Sequence, residues 1–495
     1  MSVLTLIHSG TCRQISFSQP QKLQAVLSRA GILFDHPCGG RGVCGKCAVK
    51  LEGSVSQPNE AERKAGTRLS CQAELLGDAT VWLSEEAEWT QIEVGSADRY
   101  AAPAPMDGEY GAAVDIGTTT MALSLCRLHD GKVLASSACE NPQRSVAADV
   151  IGRIESALSG GLPSLQEQVT SAVQTLVKEA CEKAQIPESK VESLVITGNT
   201  TMLYLLTGRN PDSLARAPFR AECLFGMETD ILDRKTYLPP CMDAFVGADI
   251  TCAVLSANMT DHSGPVLLCD IGTNGEIALW KDGKLTVTST AAGPAFEGAG
   301  ISCGCGSILG AIDKVWIEGD GISCHTIGDA PAVGVCGSGL IDAIAAFLQR
   351  EDIDETGAVD AEELKLTEAV ELLPRDIRAV QLAKAAIAAG IQTLLEATDT
   401  KETEITRFYI CGGFGAHLNL QSAVTIGLIP ESFREKTAVL GNAALSGAVQ
   451  MLLNCNCRET AETLTAKSVH LNLGGNPKFN ENYIEHILFP DIFDL

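Results

Sequence analysis

Two stretches decide the reading of this chain: Ala113-Val114-Asp115-Ile116-Gly117-Thr118-Thr119-Thr120 and, 155 residues further on, Leu268-Cys269-Asp270-Ile271-Gly272-Thr273-Asn274-Gly275. Each is an apolar run that ends on an acidic residue and a Gly-Thr turn. Each is followed by a second apolar strand and an Asp-Gly-Lys turn, Asp130-Gly131-Lys132 and Asp282-Gly283-Lys284. Such a turn offers backbone N–H groups and hydroxyls to phosphate oxygens, and its carboxylate can hold Mg2+ directly or through water. One Asp-x-Gly-Thr signature is weak. Two copies in register predict a duplicated α/β architecture, two lobes facing a cleft, with Asp115 and Asp270 as catalytic carboxylates.

Further elements fall in the order such a cleft requires. Phe408-Tyr409-Ile410-Cys411-Gly412-Gly413-Phe414-Gly415 is an apolar strand ending in a Gly-rich turn, where a purine and ribose can lie flat against backbone without side chains. Gly247-Ala248-Asp249 and Gly441 to Ala448 read as small-residue helix starts that allow close packing at a hinge between the lobes. The phosphate-binding candidates are Gly117, Thr118, Thr119, Thr120, Gly272, Thr273, Asn274 and Gly275; the adenosine candidates are Gly412, Gly413, Phe414 and Gly415.

Upstream, Cys38, Cys44 and Cys47 share a loop containing Gly39, Gly40, Gly42 and Gly45, and Cys71 follows at a distance. The C-x5-C-x2-C spacing is one residue longer in its first gap than that of plant ferredoxins. A loop wrapped around a cluster turns its N–H groups toward the sulfurs, which demands glycine-permissive turns. Four thiolates also satisfy structural zinc. Zinc ribbons, however, usually pair two short C-x2-C knuckles, and the single Gly-rich loop favours a [2Fe–2S] cluster. Short strands at Val3–Leu6, Gln14–Phe17, Ala48–Leu51 and Thr80–Leu83, with a helix from Lys22 to Ala30, surround the loop. This segment resembles a β-grasp ferredoxin.

The 495 residues carry a net charge of −25, which argues against a nucleic-acid partner. Residues 1 to 88 hold nine basic and nine acidic side chains, so the whole excess lies beyond them. The Glu, Ala, Pro and Gly-rich stretch from Ser84 to Glu109 reads as a linker. The expected organisation is a ferredoxin domain (1–86), a linker (87–109), a first ATPase lobe (110–262) and a second lobe with the adenosine loop (263–495). Met1 to Ile7 show no basic n-region followed by an apolar h-region, and no apolar run reaches eighteen residues, so neither secretion nor membrane spanning is expected. With 19 Cys, an odd number, reduced thiols in a cytoplasmic protein fit better than a disulfide framework.

The duplicated turns and the adenosine loop together resemble the actin, sugar-kinase and heat-shock-chaperone ATPase superfamily, a duplicated ribonuclease-H-like fold that binds Mg-ATP between closing lobes. With a ferredoxin in front, and with Pro294 to Ala299, Gly337 to Asp342, Asp376 to Ala386 and Gly412 to Gly415, the chain is similar to the reductive activators of corrinoid proteins. The resemblance implies one-electron transfer from the [2Fe–2S] centre to a Co(II) corrinoid on a partner protein, regenerating Co(I) at the expense of ATP. An upstream reductant of unspecified identity is implied as well, and homodimerisation is compatible. Plant-type clusters sit near roughly −400 mV, and Co(I) corrinoids are stronger reductants. A deficit of about 100 mV costs roughly 2.3 kcal/mol per electron, which ATP can supply through differential affinity for two protein states.

Three departures from the family pattern stand out. The linker before Asp115 is short where longer activators carry an extra middle domain, Cys303-Gly304-Cys305 replaces a Gly-Met-type continuation, and Ser145-Val146-Ala147 follows Asn141-Pro142-Gln143 in place of an aromatic-Gly pair. Two alternatives stay open: an ATP-driven activator of another low-potential metalloenzyme, and a small-molecule kinase with a regulatory ferredoxin. Glu297 reads as a structural polar group, and Asp149 and Asn199 as cleft or turn residues. The stripe Ile377, Val380, Ile387, Ile391, Leu394 and Leu395 reads as core. Cys303, Cys305, Cys336, Cys411, Cys455 and Cys457 lack C-x2-C spacing and read as thiols without a cluster.

Overall fold

The computed structural model describes residues 2–8, 11–17, 20–29, 47–65, 67–82, 100–359, 363–412 and 418–491. In the first unit, strand Ser2–His8 pairs antiparallel with Thr11–Phe17 and parallel with Glu74–Trp82, which in turn runs antiparallel to Ala48–Val55. Glu74–Trp82 alternates buried and open positions, as a strand with one packed face does. Its inner residues Leu75, Ala79 and Val81 meet Leu4, Leu6 and Phe17, and the helix Leu23–Arg29 closes the core with Leu23, Val26 and Leu27. This is the mixed sheet and covering helix expected of a β-grasp ferredoxin.

Residues 100–109, assigned by composition to a linker, are strapped to the following domain. Tyr100 N–H donates to the Gly131 carbonyl at 2.9 Å, Met106 N–H to Leu452 at 2.9 Å, and the Met106 side chain is buried among Cys126, Leu128 and Leu452. The Pro-rich composition concealed this anchorage, because extended backbone held by separate partners leaves no period in a sequence.

The duplication is explicit in the sheets. Strand Tyr110–Ile116 pairs antiparallel with Thr120–Arg127, which pairs antiparallel with Lys132–Glu140; on its other side Tyr110–Ile116 runs parallel to Val191–Gly198, and that strand parallel to Arg234–Leu238. Strand Val266–Ile271 repeats the pattern with Gly275–Lys281, Lys284–Thr290, Arg407–Cys411 and Thr437–Val439 in the same places. Both copies of the quoted motif therefore lie on the central strand of a sheet, ending in the tight turn of a hairpin. The helix Pro374–Ala397 buries Ile377, Val380, Ile387, Ile391, Leu394 and Leu395 in the second core, as its stripe predicts. None of the helices among the described residues is long and apolar enough to cross a membrane.

The lobes exchange helices. Ala248–Ser256 belongs to the first lobe in chain order, yet Ile250, Ala253 and Val254 pack on Val266, Leu268 and Val287 of the second sheet. Ala443–Leu453 belongs to the second, yet Leu445, Ala448, Val449 and Leu452 cover Ala113, Ala122 and Val195 of the first. The two helices cross at Gly447, where an added Cβ would stand 2.0 Å from the backbone carbonyl oxygen of Cys252. Only glycine permits that approach. Gly447→Ala should destabilise the two-lobed unit by about 3 kcal/mol through overpacking against backbone, seen as a lower denaturant midpoint. Gly306→Ala, whose Cβ would meet nothing within 4 Å, should shift stability by less than about 0.5 kcal/mol.

Candidate functional site

Two of the four predicted cluster ligands lie within the described residues. Cys47 and Cys71 are buried, with their sulfurs 3.3 Å apart. Two thiolates sharing one tetrahedral metal at bonds of about 2.3 Å stand about 3.8 Å apart, so the pair fits common ligation. Ser70 N–H donates to the Cys47 carbonyl at 2.8 Å, which ties the two cysteine segments together. Behind them, buried Glu62 accepts from Asn59 N–H at 3.0 Å, Leu69 N–H at 3.1 Å and Arg68 Nε at 2.9 Å. Burial alone would raise the Glu62 carboxyl, but the Asn59 and Leu69 amides and the Arg68 guanidinium outweigh it and hold it below the usual range. Glu62 escaped the sequence reading, although Asn59-x-x-Glu62 has the spacing of a reciprocal helix cap. Cys38 and Cys44 lie outside the described residues.

The cleft between the lobes gathers carboxylates. Asp115 ends its strand and accepts from Asn442 Nδ2 at 3.0 Å, a bond from the start of the Ala443–Leu453 helix back to the first lobe. Desolvation raises Asp115 to about 7 against the relief of that bond, with Asp270 adding to the rise. Asp270 is raised to about 6, again by burial, with Glu297 contributing and the Cys411 thiol opposing. Asp249, one residue inside the helix Ala248–Ser256, and Glu276, directly opposite Asp270 in register, are both pushed up by burial and by these neighbours. The sequence reading treated Gly247-Ala248-Asp249 as packing alone. The structure gives each residue a separate use: a Cβ on Gly247 would lie 2.4 Å from Asn199 Cα, while Asp249 joins the acidic floor.

The first Gly-Thr turn is held from behind. Asn141 Nδ2 donates to the Gly117 carbonyl at 2.8 Å, Arg153 Nη2 to that of Thr118, and Asn141 N–H to that of Thr119 at 2.8 Å. A trans peptide points its N–H opposite to its C=O, so the amides of Thr118 and Thr119 turn toward the cleft. Asn199, which caps the helix Thr200–Leu206, donates to Thr118 Oγ1 at 3.1 Å. Asp149 instead caps the helix Val150–Ser156 through Gly152 N–H. Arg153 is fully buried and was missed. Its bonds go to carbonyls and to Gln143 Oε1, and burial pushes it down to about 9.

Across the cleft, Gly293 N–H donates to the Thr273 carbonyl at 2.9 Å. Glu297 reaches both loops, accepting from Thr273 N–H at 2.9 Å, Thr273 Oγ1 at 2.9 Å and Thr119 Oγ1. Gly412 has φ +109, and a Cβ there would meet the Ile271 carbonyl oxygen at 2.5 Å and Asp270 Oδ1 at 2.8 Å, so the predicted adenosine turn starts directly beside the second acidic residue. Gly413, Phe414 and Gly415 lie outside the described residues. Cys303 donates to the Glu371 carbonyl at 3.0 Å and Cys411 to that of Cys269 at 3.6 Å. Among the described residues no three His, Cys, Asp or Glu side chains converge as a self-sufficient metal cage. Mg2+ normally takes only one or two carboxylates and completes its shell with phosphates and water, and Asp115 and Asp270 fit that pattern.

Comparison with known proteins matches three stretches of the chain. Residues 6–76 match a 2Fe-2S iron-sulfur cluster binding domain, residues 110–262 the RACo middle region, and residues 264–494 the C-terminal domain of RACo, described as the ASKHA domain. The family's middle region thus coincides with the first lobe. Corrinoid activation enzyme RamQ of Eubacterium limosum is 33% identical over 421 residues, covering 77% of this chain and 70% of its own. The [Co(II) methylated amine-specific corrinoid protein] reductase of Methanosarcina barkeri is 25% identical over 418 residues, 76% of each chain. The solved structure titled reductive activator for corrinoid,iron-sulfur protein superimposes with a TM-score of 0.72 at 25% identity, covering 98% of both chains.

The raised carboxylates set a pH dependence. With Asp115 near 7 and Asp270 near 6 in the folded chain, against an ordinary 3.8, the folded state binds more protons than the unfolded between about pH 4 and 7, so stability falls as pH rises through that window. Asp115→Asn should therefore raise the melting temperature at pH 8 by about 5 °C and leave it unchanged at pH 4. Calorimetry at the two pH values checks this, and an equal effect at both would contradict it.

Proposed function

The chain belongs to the family of reductive activators of corrinoid proteins, and from that premise we propose that it reduces the Co(II) corrinoid of a partner protein to Co(I) in a reaction coupled to ATP. The observation that carries this reading is the union, in one chain, of a buried Cys47–Cys71 pair and a cleft lined by two matched Asp-x-Gly-Thr turns. When bound, a [2Fe–2S] cluster supplies a one-electron carrier, with Cys38, Cys44, Cys47 and Cys71 as its ligands. Glu62 positions the segment that carries Cys71.

ATP is taken as Mg-ATP. Asp115 and Asp270 face the metal, directly or through water. Burial raises the affinity of both carboxylates for protons, and Mg2+ would displace those protons. Thr118, Thr119, Thr273 and Asn274 surround the phosphates, and Gly412 to Gly415 receive the adenosine. Both lobes contribute donors, so nucleotide binding draws them together about the crossing at Gly447. Asn442 and Asp249 sit at the starts of the two crossing helices and would report that closure to the rest of each lobe. A corrinoid partner that prefers the closed form would then be bound and reduced with a driving force set by that preference. A chain with 19 cysteines suits a reducing cytoplasm.

The test is anaerobic mixing of reduced holoprotein, Mg-ATP and candidate corrinoid proteins, following the Co(I) absorption band. Co(I) should form with at least one partner and only with ATP. Asp270→Asn should lower the ATP-dependent rate at least about 100-fold. Cys71→Ser should remove the cluster's visible absorption and the reduction while ATP binding persists. Phosphorylation of a small molecule without any protein partner would refute the reading.

A further inference from the structure

Glu297 sits on the short 3-10 turn Pro294–Glu297 of the second lobe, and its carboxylate spans the cleft. One oxygen accepts from Thr273 N–H and the other from both Thr273 Oγ1 and Thr119 Oγ1. These three donors belong to the two phosphate loops and come from both lobes at once. The adenosine turn begins at Gly412, in contact with Asp270 on the second lobe. On the reading of the cleft as an ATP site, a nucleotide seated there would run its phosphate chain toward the first lobe, and the group to meet Thr119 would be the terminal one. An amide N–H has a single hydrogen, so Thr273 can serve the carboxylate or a phosphate oxygen but not both at full strength. A carboxylate and a terminal phosphate forced together would also repel.

We infer that Glu297 is a specificity-determining residue that competes with the terminal phosphate of ATP for the donors of Thr119 and Thr273, so that a triphosphate, and not a diphosphate, displaces it. This rests on the reading of the cleft as an ATP site. Behind Glu297 the chain is packed backbone on backbone. Gly298 follows with φ +77, and a Cβ on it would lie 2.4 Å from the Cys305 carbonyl oxygen, while Gly304 is packed as tightly on the Gly298 carbonyl. Cys305 N–H in turn donates to Val335 at 2.9 Å, and Ser302 is fixed by buried Asp376 at 2.9 Å. Because residue 298 is packed directly on residues 304 and 305, a shift of the Glu297 turn would press on the Cys303–Cys305 segment. The Cys-x-Cys is then part of the relay rather than a second cluster.

The experiment is calorimetric titration of the full chain with Mg-ADP and with a non-hydrolysable Mg-ATP analogue, comparing the parent, Glu297→Ala and the isosteric Glu297→Gln. Melting curves verify that the variants fold. Removing the competitor should tighten the analogue about tenfold in Glu297→Ala and by less in Glu297→Gln, with ADP affinity changed less than twofold. In the parent, the analogue but not ADP should alter hydrogen exchange across residues 294–305, and that difference should vanish in Glu297→Ala. Equal shifts for both nucleotides, weaker analogue binding, or slower hydrolysis at unchanged affinity would overturn the inference. A parent chain that binds neither nucleotide would instead overturn the ATP reading on which it rests.

Discussion

The contact of Gly447 with the Cys252 carbonyl is the constraint on which the rest of the two-lobed unit turns. It lets two helices from different lobes cross at backbone distance. Each helix is packed on the sheet of the other half, so neither lobe has a complete core without its neighbour's helix. The starts of those same helices reach the cleft, one with Asn442 bonded to Asp115 and one with Asp249 beside Asp270. A rotation at the crossing therefore moves the groups that face the nucleotide.

The cleft is built with unbalanced charge. Burial raises the proton affinity of Asp115, Asp249, Asp270 and Glu276, with neighbouring carboxylates adding to it, and a buried carboxylate cluster of this kind is stable only if protons, a cation or donors compensate it. Asn442 and the loop amides supply some of the donors. Arg153 supplies positive charge behind the first phosphate loop, bonded to the Thr118 carbonyl in place of a carboxylate. The arrangement suits a ligand that brings its own cation and its own anion, as Mg-ATP does. The overall negative charge of the chain, concentrated after residue 88, is in keeping with a site that receives phosphate through backbone donors rather than through lysines.

Much of this was legible in the residues because the chemistry is local. An Asp-x-Gly-Thr turn and a Gly-rich cysteine loop each act within a dozen residues, so motif and function coincide. The core stripe of the helix Pro374–Ala397 was equally legible, since a 3.6-residue period reports burial directly. Glu62 and Arg153 were not, and Glu297 stood out only as a structural polar group. Glu297 and Arg153 are single polar residues whose partners come from distant segments: Glu297 meets Thr119 from 178 positions away, and Arg153 meets Thr118 from 35. No local pattern distinguishes such a residue from a solvated one. The strap at residues 100–109 was hidden for the same reason.

By itself, the sequence determined the kind of modules and the strand-turn-strand identity of both Asp-x-Gly-Thr segments, because spacing and glycine placement are properties of contiguous chain. Only the tertiary structure decided that the lobes trade helices, that Glu297 bridges the two loops, and that four carboxylates share one floor. Those outcomes depend on which surfaces pack together, and packing between residues far apart in the chain leaves no period to read.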